Sequence, residues 1–289
     1  MRILVTGATG LVAGRLVRLI PSAGHLLIAQ SRQSGAHRTD LAQASAVDAL
    51  FDQARPDLVI NPSGMTDVDA CERSADEAYE ANVVAVRNLA TACRKFGAHL
   101  VHVSTDYVFD GEDGPYTEDA TPSPRGVYAK TKAEGESVAR ELLPGCAIAR
   151  TAVVYGWPPV GGKLNFGAWL VTKLSASERV RLFSDQLVSP TWAQSAAAML
   201  LEVAERREGG IWHLCGAEVL DRVSFGRRLC ARFGFDPALI DPVLMADVTL
   251  AIPRPRRAGL LIGRARTLAN APMSVDEALK AFHAEWSQP

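Results

Sequence analysis

The chain has 289 residues, 48% apolar and 22% charged, with a net charge of −1. That balance belongs to a folded chain with room for one large unit or two smaller ones, and the lack of a basic tail or stripe excludes nucleic-acid binding by phosphate neutralisation. Met1 runs directly into ILVTG with no signal-peptide pattern, and no apolar run approaches the roughly 20 residues of a membrane span, so the expectation is a cytoplasmic protein without a membrane partner.

In chain order, RILVT reads as a strand and LVAGRLVRLI as the helix behind it. HLLIAQ is a second strand, AVDALFDQA a helix and DLVIN a strand. DEAYEANVVAVRNLATACRKF reads as one long amphipathic helix, HLVHVST as a strand, PRGVYAKTKAEGESVARELL as a helix and CAIARTAVVYG as a last clear strand. This βαβ rhythm predicts an α/β fold, a Rossmann-type doubly wound parallel sheet forming a dinucleotide-binding domain over residues 1–155. From residue 156 onward Gly and Pro punctuate WPPVGGK and IPRPRRAG. Helices are expected in WAQSAAAMLLEVAERR, SFGRRLCARFGF and SVDEALKAFHAEW. Residues 156–289 therefore read as a smaller α/β substrate-binding unit, part of which returns to the first domain.

The stretch TGATGLVAGR sits between the first strand and the first helix. Gly7 and Gly10 let the backbone turn tightly and approach a phosphate, and the helix N-terminus offers free N–H groups to an anion. Ala13 takes the third small position of a GxxGxxA spacing, where close helix–sheet contact is needed. The competing reading is a tight turn without a ligand; the strand–turn–helix context favours a dinucleotide. At the end of the second strand an acidic residue would favour NAD, but this chain has Gln30, Ser31 and Arg32. Arg32 can grip a 2′-phosphate, so NADP is preferred, with NAD as the other candidate. Asp40 and Leu41 lie where an adenine contact forms, and Asn61 ends a strand on the cofactor side.

STDYVFDG ends a strand, which places Ser104 and Thr105 at the ligand-binding edge of an open α/β sheet. In GVYAKTKAEGE, Tyr128 precedes Lys132 by four residues, so both share one helix face. Alone, the pair reads first as an exposed surface pair, since Lys132 also precedes Glu136 by four. The glycine turn and STDYVFDG favour an active site. The five cysteines, Cys71, Cys93, Cys146, Cys215 and Cys230, are scattered and form no CxxC, and the histidines show no HExxH. Neither a disulfide framework nor a zinc site is expected.

TGATGLVAG, STDYVFDG, YAKTK, RTAVVYG, the NF of KLNFGAWL, SDQLVSPTWA and PRPRRAG follow one another through nearly the whole chain. In that ordered set the sequence resembles the extended short-chain dehydrogenases/reductases, and the dTDP-4-dehydrorhamnose reductase family in particular. The resemblance implies a catalytic triad of Thr105, Tyr128 and Lys132 for NADPH-dependent reduction of a nucleotide-linked 4-keto-6-deoxy sugar. Tyr128 would protonate the ketone oxygen, Lys132 would lower the phenol pKa and hold the nicotinamide ribose, and Thr105 would orient the carbonyl. The implied cofactor set is Gly7, Thr9, Gly10, Leu11, Val12, Ser31, Arg32, Asp40, Leu41, Asn61, Pro62, Ser63 and Asn82, with Tyr128 and Lys132. Thr66, Val68, Asp106 and Tyr107 would line the sugar site, and Asn165, Phe166, Gln186 and Arg254 the nucleotide half.

Departures from the family pattern fall around the substrate. Val153 stands where the family commonly has an aromatic residue, and Pro62, Gly64 and Met65 alter the NPSGMTDVD segment. Tyr107 stands where related dehydratases carry a carboxylate, which favours reduction over water elimination. A metal-bridged dimer of parts of the family uses an acidic residue near position 15; this chain has Arg15, so no metal is carried over, while a homodimer by helix packing stays open. The rival readings are another nucleotide-sugar reductase or epimerase, a small-carbonyl reductase, and a non-catalytic subunit like the β subunit of methionine adenosyltransferase.

Overall fold

The short apolar runs of the first half become strands of one sheet in the computed structural model, which describes residues 1–32, 35, 37–159, 161–250 and 252–286. The strands up to residue 151 are β1 (Arg2–Val5), β2 (Leu26–Ser31), β3 (His37–Arg38), β4 (Leu58–Asn61), β5 (His99–Thr105) and β6 (Ala147–Thr151). Between them lie α1 (Leu11–Ser22), α2 (Ala44–Ala54), α3 (Val68–Arg73), α4 (Ala75–Tyr79), α5 (Ala85–Phe96) and α6 (Gly126–Leu142). The later elements are β7 (Val154–Tyr155), α7 (Phe166–Ser175), β8 (Val180–Phe183), β9 (Leu187–Val188), β10 (Thr191–Trp192), α8 (Ala193–Arg206), β11 (Gly210–His213), β12 (Leu220–Asp221), α9 (Arg222–Phe233), β13 (Ile240–Val243) and α10 (Val275–Trp286).

Seven strands form the central sheet in the order β11-β6-β5-β4-β1-β2-β3, and every pairing in it is parallel. Alternate side chains of each strand supply two cores, as burial of both faces of a parallel sheet requires. Ile3, Val5, Leu58, Ile60 and Val101 meet α1 and α8 on one face. Leu4, Val59, Leu100 and Ile148 meet α2, α5 and α6 on the other. A third core joins α7, α9 and α10 with β8 and β13, around Leu170, Phe225, Leu229 and Phe282. α8 and β11 lie beyond residue 156 in sequence, yet they complete the first core and the sheet edge.

Two elements differ from the sequence expectation. CAIARTAVVYG is not one strand. It breaks at Val153, whose φ of 40° is uncommon for a β-branched residue. Thr191 holds the break, its Oγ1 donating to the Ala152 carbonyl at 2.7 Å and its amide to the Val153 carbonyl at 3.2 Å. The chain then leaves the sheet, and β7 pairs with β10. The helix expected over residues 76–96 carries a π-helical stretch, Glu80–Val84, between α4 and α5. This insertion turns Asn82 inward, 1% exposed. Among the described residues no helix is long and apolar enough to cross a membrane.

Candidate active site

The carboxyl ends of β1, β4 and β5 place three loops side by side. The first is the glycine turn. Gly10 caps α1 without a side-chain hydrogen bond, which leaves the first-turn amides, with Leu11 and Val12 beside them, available to an anion. Thr9 and Gly10 are exposed, and Leu11 and Val12 half-buried. Gly7 has φ 59°, and a Cβ there would stand 3.0 Å from the Ser63 Cβ. The turn therefore needs glycine twice over, for its left-handed backbone and for its approach to Ser63. Gly7→Ala is expected to cost about 1–2 kcal/mol in backbone strain and to weaken dinucleotide binding by displacing Ser63. A fluorescence titration with NADPH checks this; unchanged affinity would show that the turn tolerates a side chain.

Gln30 is not a ribose-facing residue in this arrangement. It is 2% exposed, its Oε1 accepts from the Gly7 amide at 3.1 Å, and its Nε2 donates to the Thr39 carbonyl at 2.7 Å. It pins the glycine turn to the sheet edge, while Ser31 is buried and Arg32 is exposed at the strand end. Asp40 caps a turn through the Ala42 amide, and Leu41 packs into the second core. Asn61 also points inward, 1% exposed. Its Oδ1 accepts from Thr6 and Ser63, and its Nδ2 lies 3.0 Å from His102 Nδ1. It supports the half-buried Pro62–Ser63 segment from beneath.

Asn82 holds the neighbouring loop, accepting from the Met65 amide at 2.9 Å and donating to the Met65 carbonyl at 3.0 Å. Gly64 passes so closely over it that a Cβ would meet Asn82 Oδ1 at 2.7 Å and Lys132 Nζ at 3.9 Å. One of the family departures thus lies directly beside the lysine.

α6 buries Tyr128, Ala129, Thr131, Lys132, Gly135 and Glu136, a helical face turned to the sheet. Glu72 of α3 fixes its start by accepting from the Val127 amide at 2.6 Å. Tyr128 is 8% and Lys132 4% exposed, so they are not a surface pair. Tyr128 packs with Cys71 and Ala78, and Tyr107 meets its ring edge-on at 5.6 Å. Thr105 comes from the end of β5. Burial pushes the Tyr128 phenol well above its ordinary value, against the hydrogen-bonding pull of the Thr105 side chain. Burial brings the Lys132 ammonium down to about 8, and the Glu136 charge opposes this. Lys132 Nζ donates to the Val103 carbonyl at 2.8 Å. Burial, rather than the Lys132 charge, is thus the largest influence on the phenol here.

A cavity of about 300 Å³ opens beside Tyr107, lined by Phe166, Trp169, Gln186, Arg222 and Arg254. The Arg222 guanidinium lies 4.5 Å over the Phe166 ring and donates to Gln186 Oε1. Arg254 pairs with both carboxylate oxygens of Asp69, at 2.8 and 2.9 Å. Asn165 instead caps α7, accepting from the Ala168 amide at 3.2 Å and donating to the Gly156 carbonyl at 2.7 Å. Val68 opens α3, Thr66 is exposed, and Val153 is half-buried at the strand break. Arg222 and Trp169 were not singled out in the sequence; an isolated arginine at a helix start forms no motif. Among the described residues no cluster of His, Cys, Asp or Glu could hold a metal ion. The bare turn amides, the glycine at Ser63 and the lysine near Gly64 fit a dinucleotide.

A family model described as the RmlD substrate binding domain matches residues 1–287. The dTDP-4-dehydrorhamnose reductase of Mycobacterium tuberculosis is 33% identical over 88% of this chain and 82% of its own. This chain belongs to the RmlD family of dTDP-4-dehydrorhamnose reductases. Another relative of this RmlD-family reductase is the probable low-salt glycan biosynthesis reductase Agl14 of Haloferax volcanii, 32% identical over 99% of both chains. The dTDP-4-dehydrorhamnose reductase of Bacillus anthracis, solved in complex with NADP, superimposes with a TM-score of 0.89 at 26% identity, covering 98% of this chain and 99% of that one. The RmlD-family chain is an NAD(P)-dependent oxidoreductase.

Proposed function

We propose that this reductase reduces the keto group of a nucleotide-linked 4-keto-6-deoxy sugar with NADPH, using Thr105, Tyr128 and Lys132. The observation that carries the reading is the burial of Tyr128 and Lys132 on one face of α6, with Thr105 at the adjoining strand end. When bound, the nicotinamide supplies the hydride. The protein's part is to hold the ketone and deliver a proton. Thr105 donates a hydrogen bond to the carbonyl oxygen and fixes its angle. Tyr128 gives its phenolic proton to that oxygen as negative charge develops there. Lys132, charged below about 8, favours the phenolate that remains and would hold the nicotinamide ribose, its Nζ lying beside Gly64. Desolvation inside the pocket strengthens the attraction between the Lys132 ammonium and the phenolate.

Phe166 and Trp169 offer flat faces for a base, and Arg222 and Arg254 offer guanidinium forks for a diphosphate. The exposed Arg32 at the end of β2 suits a 2′-phosphate and supports NADPH over NADH. Arg32→Ala is expected to raise KM for NADPH by roughly tenfold, about 1.4 kcal/mol, and to leave KM for NADH unchanged. Equal effects on both cofactors would remove Arg32 from the specificity site. A panel of keto-sugar nucleotides and unlinked ketones tests the substrate class. Saturable turnover confined to unlinked ketones would sink the nucleotide-sugar reading. Val153 in place of an aromatic residue motivates including several sugars in that panel.

A further inference from the structure

Among the buried ionisable groups without a part in the proton transfer, one adjoins the proposed catalytic residues. Asp106 follows Thr105 directly and is 2% exposed. Thr105 Oγ1 lies 3.0 Å from Asp106 Oδ1, while Oδ2 is buried with no hydrogen-bond partner among the described residues. A carboxylate left half-satisfied in a dry site favours its protonated form. Burial raises the Asp106 carboxyl to about 7, against the lowering influence of Thr105 and the Arg222 charge. The groups that face it are Thr105 and Tyr107 on its own segment, Tyr128 on α6, Arg222 on α9, and Cys215 just after β11. Arg222 is the cation among them, and it makes the ionised state reachable.

We propose that Asp106 stores the proton that returns to Tyr128 through Thr105 after each reduction, a role that rests on the reductase reading above. The transfer balances without a further reactant. Tyr128 gives its proton to the ketone oxygen, forming the O–H bond of the alcohol, and is left as phenolate. The Thr105 hydroxyl proton passes to the phenolate while the Asp106 carboxyl proton passes to Thr105 Oγ. Asp106 ends as a carboxylate facing Arg222 and recovers its proton from solvent as product leaves. Asp106 acts through Thr105, so it is a positioning residue in this scheme, distinct from one that merely holds a sugar hydroxyl.

Asp106→Asn keeps the shape and an acceptor for Thr105 but stores no proton. With NADPH and a keto-sugar nucleotide at pH 6, its first turnover is expected to outrun its own later turnovers, because Tyr128 starts protonated and any lost sugar contact slows both alike. Its steady-state rate is expected to fall at least tenfold. The wild-type steady-state rate should decline above about pH 7, where Asp106 ionises, and the variant should lack that limb. Equal slowing of the first and later turnovers at every pH would overturn the proposal, leaving Asp106 a substrate contact. A second readout needs no variant: below pH 7 the wild-type steady-state rate in mixed H2O and D2O should give a curved proton inventory, and a linear one would also overturn it. If the wild type turns over no keto-sugar nucleotide, the reductase reading itself has failed, a result distinguishable from failure of the proton store.

Discussion

Replacing Tyr128 by phenylalanine is expected to lower kcat by roughly 10²–10⁴-fold, the usual contribution of a positioned general acid, with NADPH binding intact. Only the hydroxyl is removed. The ring keeps its place among Cys71, Ala78, Met65 and Val68, and its edge contact with Tyr107. Lys132 keeps its anchor on the Val103 carbonyl, because that contact is made by strand and helix independently of the phenol. A large loss of turnover with unchanged NADPH affinity and unchanged unfolding would therefore report the chemistry alone. Turnover equal to the wild type would mean that another group donates the proton. A fall in NADPH affinity matching the fall in kcat would mean that the phenol serves binding instead.

The largest effect on stability is expected about two turns further along the same helix. Arg150 is 0% and Glu136 3% exposed, and they are joined by a forked contact at 2.9 and 2.7 Å. The remaining Arg150 nitrogen, Nη1, is buried without a hydrogen-bond partner among the described residues, and the guanidinium lies 5.0 Å over the Phe109 ring. Glu136→Gln leaves that cation in a dry interior with its compensating charge gone. The expected cost is about 3–5 kcal/mol, read as a lower urea midpoint with an unchanged slope. Removing both charges, as Glu136→Gln with Arg150→Met, should recover most of the loss, because apolar replacement of a whole buried pair is often neutral. The pair also bears on catalysis. Glu136 opposes the burial that lowers Lys132, so in the double variant the limb set by Lys132, near pH 8 and separate from that of Asp106, should move to lower pH. A single variant as stable as the wild type would show that the interior relaxes around the unpaired arginine.

The parts of the fold that were legible in the sequence are those with a periodic signal. Short apolar runs marked five strands of the central sheet, β1, β2, β4, β5 and β6, but not its edge strands β3 and β11, and a strand–glycine–helix order marked the turn at Gly7. The four-residue spacing of Tyr128 and Lys132 placed both on one face, though not which face; burial settled that in favour of the sheet. What was not legible lacks such a period. The strands β7, β9, β10 and β12 are two residues each, too short to alternate. The break at Val153 depends on Thr191, which is 38 positions away in sequence but holds the carbonyls of residues 152 and 153. The π-helical stretch leaves the apolar pattern nearly unchanged and shows only in the inward turn of Asn82. Gln30 and Asn61 occupy the strand ends where ligand contacts are expected, yet both hydrogen-bond inward, because each meets an unpaired backbone or side-chain group of a neighbouring strand or loop. Arg222 reaches the cavity only because α9 packs against β12 and β8, contacts that no local motif encodes.

The most direct test of the central claim is the absorbance of reduced nicotinamide when the purified protein is mixed with NADPH and an enzymatically prepared dTDP-4-keto-6-deoxy sugar. Rapid, saturable oxidation that is absent in Tyr128→Phe is the predicted result. NADPH binding without oxidation, for this and for every other keto-sugar nucleotide tried, would contradict it and leave a dinucleotide-binding protein without the proposed chemistry.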